Sequence, residues 1–139
     1  MRALGIDFGT VRIGIAVSDD KMSLASALTT IEYPKNNYQY VIDQLRLIIK
    51  RYEINLIVLG YPTLPDGKRT EISYLVDSFY ERLIQSFANI KVILWDEANS
   101  TKETVSELKE VAELKGSQIK KVKDKLAAQR ILQSYLERK

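Results

Sequence analysis

Four acidic side chains stand where carboxylates could do chemistry together. Asp7 and the pair Asp96 and Glu97 each end a short apolar run, and Asp124 lies in a helical pattern near the C-terminus. The chain contains no histidine and no cysteine, which excludes Ser-His triads, thiolate nucleophiles and zinc-thiolate sites. Catalysis would have to use carboxylates, lysines, hydroxyls and bound ions. Carboxylate oxygens favour hard cations, so Mg²⁺ or Mn²⁺ is the expected cofactor.

Basic residues are concentrated toward the C-terminal end. The net charge is +3, but residues 109–139 contain nine basic residues against four acidic ones. Such a block suits the phosphate backbone of nucleic acid, and a solvated lysine-rich helix face explains it as well. The residues that we expect to contact nucleic acid are Arg12, Lys68, Arg69, Lys121, Lys125 and Arg130.

Length and composition predict one domain. With 139 residues and 45% hydrophobic content, the chain can build one core, so we expect residues 1–139 to form a single domain. Asp7 interrupts the one candidate leader, and the sequence has no run of about 18 apolar residues that could cross a bilayer. These features predict a cytoplasmic protein with no membrane partner.

The elements that must position the acids begin with five predicted strands. Residues 3–7 form an apolar run, residues 12–18 alternate as a hairpin strand does, and a third strand is expected over 24–31. Residues 54–60 and 90–95 are almost continuously apolar, which is typical of parallel strands covered by helices on both faces. We therefore expect an α/β fold in which an antiparallel three-strand meander adjoins two parallel strands.

Four helices are expected after the meander, from apolar periodicity and capping signals. The first spans Tyr38 to Tyr52, the second begins near Thr70, the third runs from the capping box at Ser100 and Glu103 to about Gly116, and the last runs from about Val122 to Leu136.

This arrangement predicts that the acids converge. Functional groups gather outside the carboxyl ends of parallel strands, where Asp7, Asp96 and Glu97 are expected. Asp124 shares a helical stripe with Ala128, so its carboxylate should face the sheet. Carboxylates at such distances repel one another unless cations bind among them. The chemistry that this set favours is two-metal hydrolysis of phosphodiester bonds.

Each acid also has a local structural explanation. Asp7 could serve the turn before Gly9, Asp96 or Glu97 could cap the following helix, and Asp124 could favour a helix dipole. The functional interpretation depends on their joint placement at one edge of the sheet.

Several segments in order along the whole chain resemble the YqgF/RuvX family. They are Asp7–Thr10, Arg12–Ser18, Gly60–Pro62, Asp66–Gly67, Asp96–Glu97, Ser100–Thr101, Asp124 and Ala127–Leu136. The resemblance implies an RNase H-like fold and a nuclease that matures the 5′ end of pre-16S rRNA in ribosome biogenesis. The alternatives that it implies are a Holliday junction resolvase acting on branched DNA, or a non-catalytic assembly factor on a ribosomal particle.

The same resemblance implies roles for individual residues. Asp7, Glu97 and Asp124 correspond to catalytic, metal-binding acids, and Asp96 is a weaker candidate ligand. The sequence departs from the family pattern at five positions, where the usual residues are lysine, then asparagine and methionine, then arginine and leucine. These are Val11, Leu64, Pro65, Ala98 and Asn99.

A different class shares the first motif. Residues 5–10 also resemble the first phosphate motif of actin and sugar-kinase ATPases, but those proteins use two duplicated domains and this chain supplies one such core. The sequence leaves open RNA or DNA as substrate, endonucleolytic or exonucleolytic action, and the oligomeric state.

Overall fold

The computed structural model describes residues 1–62, 70–97 and 116–138. Within these ranges the chain forms five strands and three helices, in the predicted order. The strands are β1 (Ala3–Asp7), β2 (Arg12–Ser18), β3 (Ala25–Glu32), β4 (Leu56–Tyr61) and β5 (Lys91–Asp96), and the helices are α1 (Tyr38–Tyr52), α2 (Glu71–Ser86) and α3 (Gly116–Arg138).

The strands form one mixed sheet in the order β3-β2-β1-β4-β5. β2 pairs antiparallel with both β1 and β3, while β4 pairs parallel with β1 and β5. This topology confirms the predicted meander joined to two parallel strands. The parallel strands end at Asp7, Tyr61 and Asp96, which therefore lie along one edge of the sheet.

Side chains of the sheet alternate between two hydrophobic cores. α1 and α2 cover one face, where large side chains such as Ile6, Ile57 and Phe79 pack together. α3 covers the other face, where the strands present smaller residues such as Ala16 and Val58. Because small residues leave little bulk between helix and sheet, α3 approaches the strands closely. None of the helices in the described ranges is long and apolar enough to span a bilayer.

α3 is longer than its apolar pattern predicted. It begins at Gly116, whereas the apolar stripe suggested a start near Val122. Residues 116–121 include a single aliphatic one, Ile119, so the periodic signal is absent there, while Gln118, Lys120 and Lys121 have favourable helix propensity. The predicted third helix, with its capping box at Ser100 and Glu103, lies outside the described residues.

Two expectations about the parallel strands need correction. β4 begins at Leu56 instead of Ile54. Glu53 adopts a left-handed conformation (φ 55°) that ends α1, and the Ile54 amide donates to the Ile49 carbonyl at 3.0 Å, so Ile54 still belongs to the end of the helix. β5 is not covered throughout its length, since Leu94 is 39% exposed at this edge of the sheet. The apolar runs identified the strands but overestimated their burial.

Candidate active site

Asp7 ends β1 on the face that α3 covers. Side chains alternate along a strand, so Asp7 shares this face with Gly5, while Leu4 and Ile6 enter the opposite core. Its cross-strand partner on β2 is Gly14. The carboxyl group therefore lies among small residues, beneath the helix, and is partly buried.

Glu97 follows β5 and reaches across β4 toward Asp7. Trp95 packs in the α3 core, so alternation directs Glu97 to the same face. Gly60 on β4 leaves the space that this side chain occupies, because a Cβ at Gly60 would lie 3.0 Å from Glu97 Oε1 and 2.6 Å from Ile131 Cδ1. The carboxyl groups of Asp7 and Glu97 hydrogen-bond to each other. Two acids far apart in sequence thus form a contacting pair.

Burial and repulsion raise the pKa of both acids. The pKa of Asp7 rises from 3.8 to about 8, chiefly because burial removes hydration, and the charge of Glu97, their shared hydrogen bond and the charge of Asp124 contribute to the increase. Burial also raises the pKa of Glu97; the hydrogen bond from Asp7 opposes this increase, and the charge of Asp96 adds to it. At neutral pH, Asp7 therefore keeps a proton and donates it in the hydrogen bond to Glu97.

A cavity of about 190 Å³ opens beside this acid pair. Its lining consists of Asp7, Glu97, Ala127, Arg130 and Ile131. The three residues from α3 follow helical spacing and share one side of the helix. The positive charge of Arg130 lowers the pKa of Asp7 and so opposes the other effects. The cavity brings two acid groups and a guanidinium together, a combination that suits a cation and an anionic substrate group.

Asp124 lies near Asp7 but contacts a different partner. A Cβ at Gly14 would lie 1.9 Å from the Asp124 backbone oxygen, so α3 rests directly on β2 at this point. Arg12 Nε is 2.8 Å from Asp124 Oδ2, and both side chains are 26% exposed. Because Gly14 is the cross-strand partner of Asp7, Asp124 lies close to Asp7, and its charge raises the pKa of Asp7.

Asp96 is separated from this cavity by strand alternation. Its neighbours Trp95 and Glu97 belong to the α3 face, so Asp96 lies on the face of α1 and α2 and does not line the cavity. Its charge raises the pKa of Glu97.

The acid pair suits a hard divalent cation. Within residues 1–62, 70–97 and 116–138, no three acidic side chains are grouped closely enough to hold one metal ion together. Asp7 and Glu97 nevertheless offer oxygen ligands and a repulsion that a cation would relieve. One or two carboxylates are a usual protein contribution to Mg²⁺, which keeps several waters.

Comparison with known proteins assigns the chain to a family. The family model described as "RuvX: Holliday junction resolvase" matches residues 1–138. The chain belongs to the RuvX family. A protein of Ureaplasma parvum serovar 3 named "Putative pre-16S rRNA nuclease" is 43% identical, with 99% of this chain and 97% of that protein covered. A protein of the same name from Mycoplasmopsis synoviae is 38% identical, with coverage of 99% and 98%.

The RuvX-family chain also shares its fold with a solved RuvC structure. Thermus thermophilus RuvC superposes with a TM-score of 0.61 at 12% identity, covering 99% of this chain and 96% of that one. At such low identity the superposition shows the fold alone, and that shared fold is the expected RNase H-like architecture.

The predicted nucleic-acid contacts of this RuvX-family chain fall into separate regions. Arg130 lines the cavity beside the acid pair. Arg12 contacts Asp124, an ion pair that the sequence did not indicate. Lys68 and Arg69 lie outside the described residues.

Two further lysines lie on another side of α3. Lys121 Nζ is 2.9 Å from Glu32 Oε1, and its backbone oxygen accepts a hydrogen bond from Thr30 Oγ1. Lys125 lines a groove with Thr30 and Lys121 next to β3. Their helical positions differ from that of Arg130, so neither lysine lines the cavity beside Asp7.

The departures from the family pattern can be located only in part. Val11 lies in the turn before β2 and is 57% exposed, so it contributes no packing that would replace the usual lysine. Leu64, Pro65, Ala98 and Asn99 lie outside the described residues.

Sequence reasoning missed the glycines that make the site possible. Gly14 and Gly60 flank Asp7 on neighbouring strands and admit Asp124 and Glu97 respectively. A signal was present: Arg12, Gly14 and Ala16 form one face of an alternating strand, which would have placed Arg12 on the α3 side. The sequence does not reveal the register between strands, so it could not show that these glycines lie beside Asp7.

In the absence of divalent cations, we expect the stability of this RuvX-family chain to fall as pH rises from about 4 to about 8. Asp7 ionises at 3.8 in the unfolded chain and at about 8 in the folded one, so the folded state binds the extra proton across this window. The contribution of the Asp7 proton to the free energy of unfolding is complete below pH 3.8 and is lost as pH approaches about 8.

Urea unfolding in EDTA at several pH values within this window would measure the effect. Asp7→Asn should flatten the pH dependence of the free energy of unfolding. The control variant Asp43→Asn, at an exposed position of α1, should leave that dependence unchanged. An equal slope in wild type and Asp7→Asn would contradict the assignment.

Proposed function

We propose that this chain is a divalent-metal-dependent nuclease that hydrolyses phosphodiester bonds in nucleic acid. The observation that carries the proposal is the hydrogen-bonded pair of Asp7 and Glu97 in a cavity with Arg130. Two ionised carboxylates this close repel each other, so a cation bound between them would stabilise the pair. A guanidinium at the same cavity suits a phosphate.

The proposed cofactor is Mg²⁺ or Mn²⁺. Asp7 and Glu97, which line the cavity, would hold it. Asp124 is paired with Arg12 outside the cavity lining, so it would become a third ligand only by leaving that partner. Asp96 is not needed, because strand alternation places it on the other face of the sheet. A cation there supplies Lewis-acid stabilisation of the phosphate and lowers the pKa of attacking water.

The chain's own residues do the remaining work. Asp7 must lose the proton that it donates to Glu97, which requires either high pH or a positive charge at the pair. Arg130 holds a phosphate oxygen next to the acids, and we assign Lys121 and Lys125 to phosphates more distant on the strand. The partly buried position of Asp7 limits water around the reacting group and strengthens these charge interactions.

The preferred substrate is the 5′ end of pre-16S rRNA. Support comes from the names of relatives that match almost over their full length. The second candidate is Holliday junction resolution, which the description of the matching family model favours. A junction needs two symmetric cuts, so this alternative requires two copies of the chain acting together.

Cleavage assays on three substrates would test these proposals. We expect the purified protein with Mg²⁺ or Mn²⁺ to shorten precursor rRNA 5′ fragments, and EDTA to stop the reaction. Single-stranded RNA of unrelated sequence and a four-way DNA junction serve as the other substrates. Faster and symmetric cutting of the junction would favour the resolvase alternative. No cutting of any substrate would support a non-catalytic factor that binds a ribosomal particle.

A further inference from the structure

Arg12 and Asp124 join distant parts of the chain in an ion pair beside the acid pair. The contact spans 112 residues in sequence and connects the first residue of β2 with α3 through Arg12 Nε and Asp124 Oδ2, 2.8 Å apart. Arginine has five N–H donors, and this contact uses the single one on Nε. While Asp124 holds Nε, its negative charge offsets that of the guanidinium and fixes the orientation of the planar donor fork, so Arg12 is not available to a phosphate.

The backbone around this pair is firmly placed. Gly14 lies directly beneath the Asp124 carbonyl, and Thr30 Oγ1 donates to the Lys121 carbonyl one turn earlier in α3. Any change of partner by Asp124 is therefore a side-chain movement on a fixed helix. Its side chain and that of Arg12 are each 26% exposed, so both have room to adopt other rotamers.

The charges nearby favour an exchange of partners. Gly14 is the cross-strand partner of Asp7, and a Cβ at Gly14 would lie 1.9 Å from the Asp124 backbone oxygen, so Asp124 lies next to Asp7. A divalent cation at Asp7 and Glu97 would attract Asp124 and repel Arg12. Arg12 would then have lost its carboxylate partner, and a substrate phosphate supplies a negative charge in its place.

We propose that Arg12 is a phosphate-binding residue that Asp124 holds until a divalent cation at the acid pair takes over the carboxylate. Arg12 then turns its guanidinium to the nucleic-acid backbone, so that cation binding and substrate binding support each other. The inference rests on the proposed function, since it places the cation at the same acids.

The test is a double-mutant cycle in nucleic-acid binding without metal. Arg12→Met, Asp124→Asn and the double variant are titrated with a single-stranded RNA oligonucleotide in EDTA. In the wild type Arg12 is occupied, so Arg12→Met should weaken RNA binding by less than about twofold. With Asp124→Asn as the background, Arg12 is released, and the same change should weaken binding roughly tenfold.

The salt dependence supplies an independent readout. In the Asp124→Asn background, Arg12→Met should also reduce the slope of log affinity against log salt by about 0.7 for a single strand. A purely structural role of Arg12 would alter thermal stability and leave this slope unchanged. Equal effects of Arg12→Met in both backgrounds would overturn the exchange.

Mn²⁺ binding without nucleic acid tests the other half of the exchange. Electron paramagnetic resonance measures free Mn²⁺, and Arg12→Met should lower the Kd roughly threefold or more, because a competing cation is removed. Arg46→Met is the matched control: Arg46 lies over the Phe87 ring at 5.0 Å on the α1 face, and its removal should leave the Mn²⁺ Kd unchanged. Weaker Mn²⁺ binding in Arg12→Met would overturn the proposal.

These outcomes are separable from failure of the nuclease proposal. A wild-type protein that shows the expected cycle and Mn²⁺ shift but cuts no substrate would refute the nuclease and retain the exchange. A wild-type protein that cuts substrate, with additive RNA-binding effects in the cycle, would retain the nuclease and refute the exchange.

Discussion

Asp7→Asn is expected to reduce metal-dependent cleavage by at least about 100-fold, because even the outer partners of metal ligands contribute about 10- to 100-fold. The substituted amide would keep the size of the side chain but lose the charge that attracts a cation to the cavity shared with Glu97 and Arg130. The measurement is the initial rate of cleavage of the substrate that the wild type cuts, at saturating Mg²⁺ or Mn²⁺.

The same variant should remain folded, which separates chemistry from stability. The asparagine amide can donate a hydrogen bond to Glu97 as the protonated Asp7 does, so the free energy of unfolding in EDTA near neutral pH should change little. Asp43→Asn is the matched control, since Asp43 is exposed on α1 and bonds to Gln39 at 2.9 Å. Equal activity in wild type and Asp7→Asn would place the cleavage elsewhere.

RNA binding by Asp7→Asn, measured together with cleavage by the wild type, distinguishes an enzyme from a binding factor. If the acids serve catalysis, the variant should still bind RNA, because it has lost a negative charge and no basic residue. A wild type without cleavage and with binding equal to that of the variant would identify a non-catalytic ribosome-assembly role.

Gly14→Ala is expected to destabilise the fold by about 3 kcal/mol or more, the upper part of the range for overpacking. The added Cβ would lie 1.9 Å from the backbone oxygen of Asp124 and 2.3 Å from its carbonyl carbon. Backbone atoms of a helix cannot move aside as a flexible side chain can, so α3 must lift from β2. Thermal or urea unfolding in EDTA measures the loss.

Gly60→Ala on a neighbouring strand is the matched comparison. Its Cβ would meet Ile131 Cδ1 at 2.6 Å and Glu97 Oε1 at 3.0 Å, which are side-chain ends that can rotate. We therefore expect a clearly smaller loss of stability than for Gly14→Ala. Equal losses would mean that the close approach of α3 to β2 is not what stabilises this face.

The sequence alone determined the local elements and the candidate acids. Alternation over residues 12–18 and the apolar runs specified strands, because the side-chain period of a strand depends only on neighbouring residues. The stripe through Asp124, Ala128 and Ile131 correctly placed one acid on the sheet-facing side of α3. Local patterns did not separate Glu97 from Asp96, since either could have followed the strand inward, and only the family resemblance favoured Glu97.

Only the tertiary structure decided which groups meet. Strand order places β4 between β1 and β5, and the bare backbone of Gly60 lets Glu97 cross it to reach Asp7. The partner of Asp124 is Arg12, 112 residues away, and no local pattern encodes that contact. Periodicity is a property of adjacent residues, whereas register and close approach depend on how whole elements pack, so the site emerges only when the sheet and α3 come together.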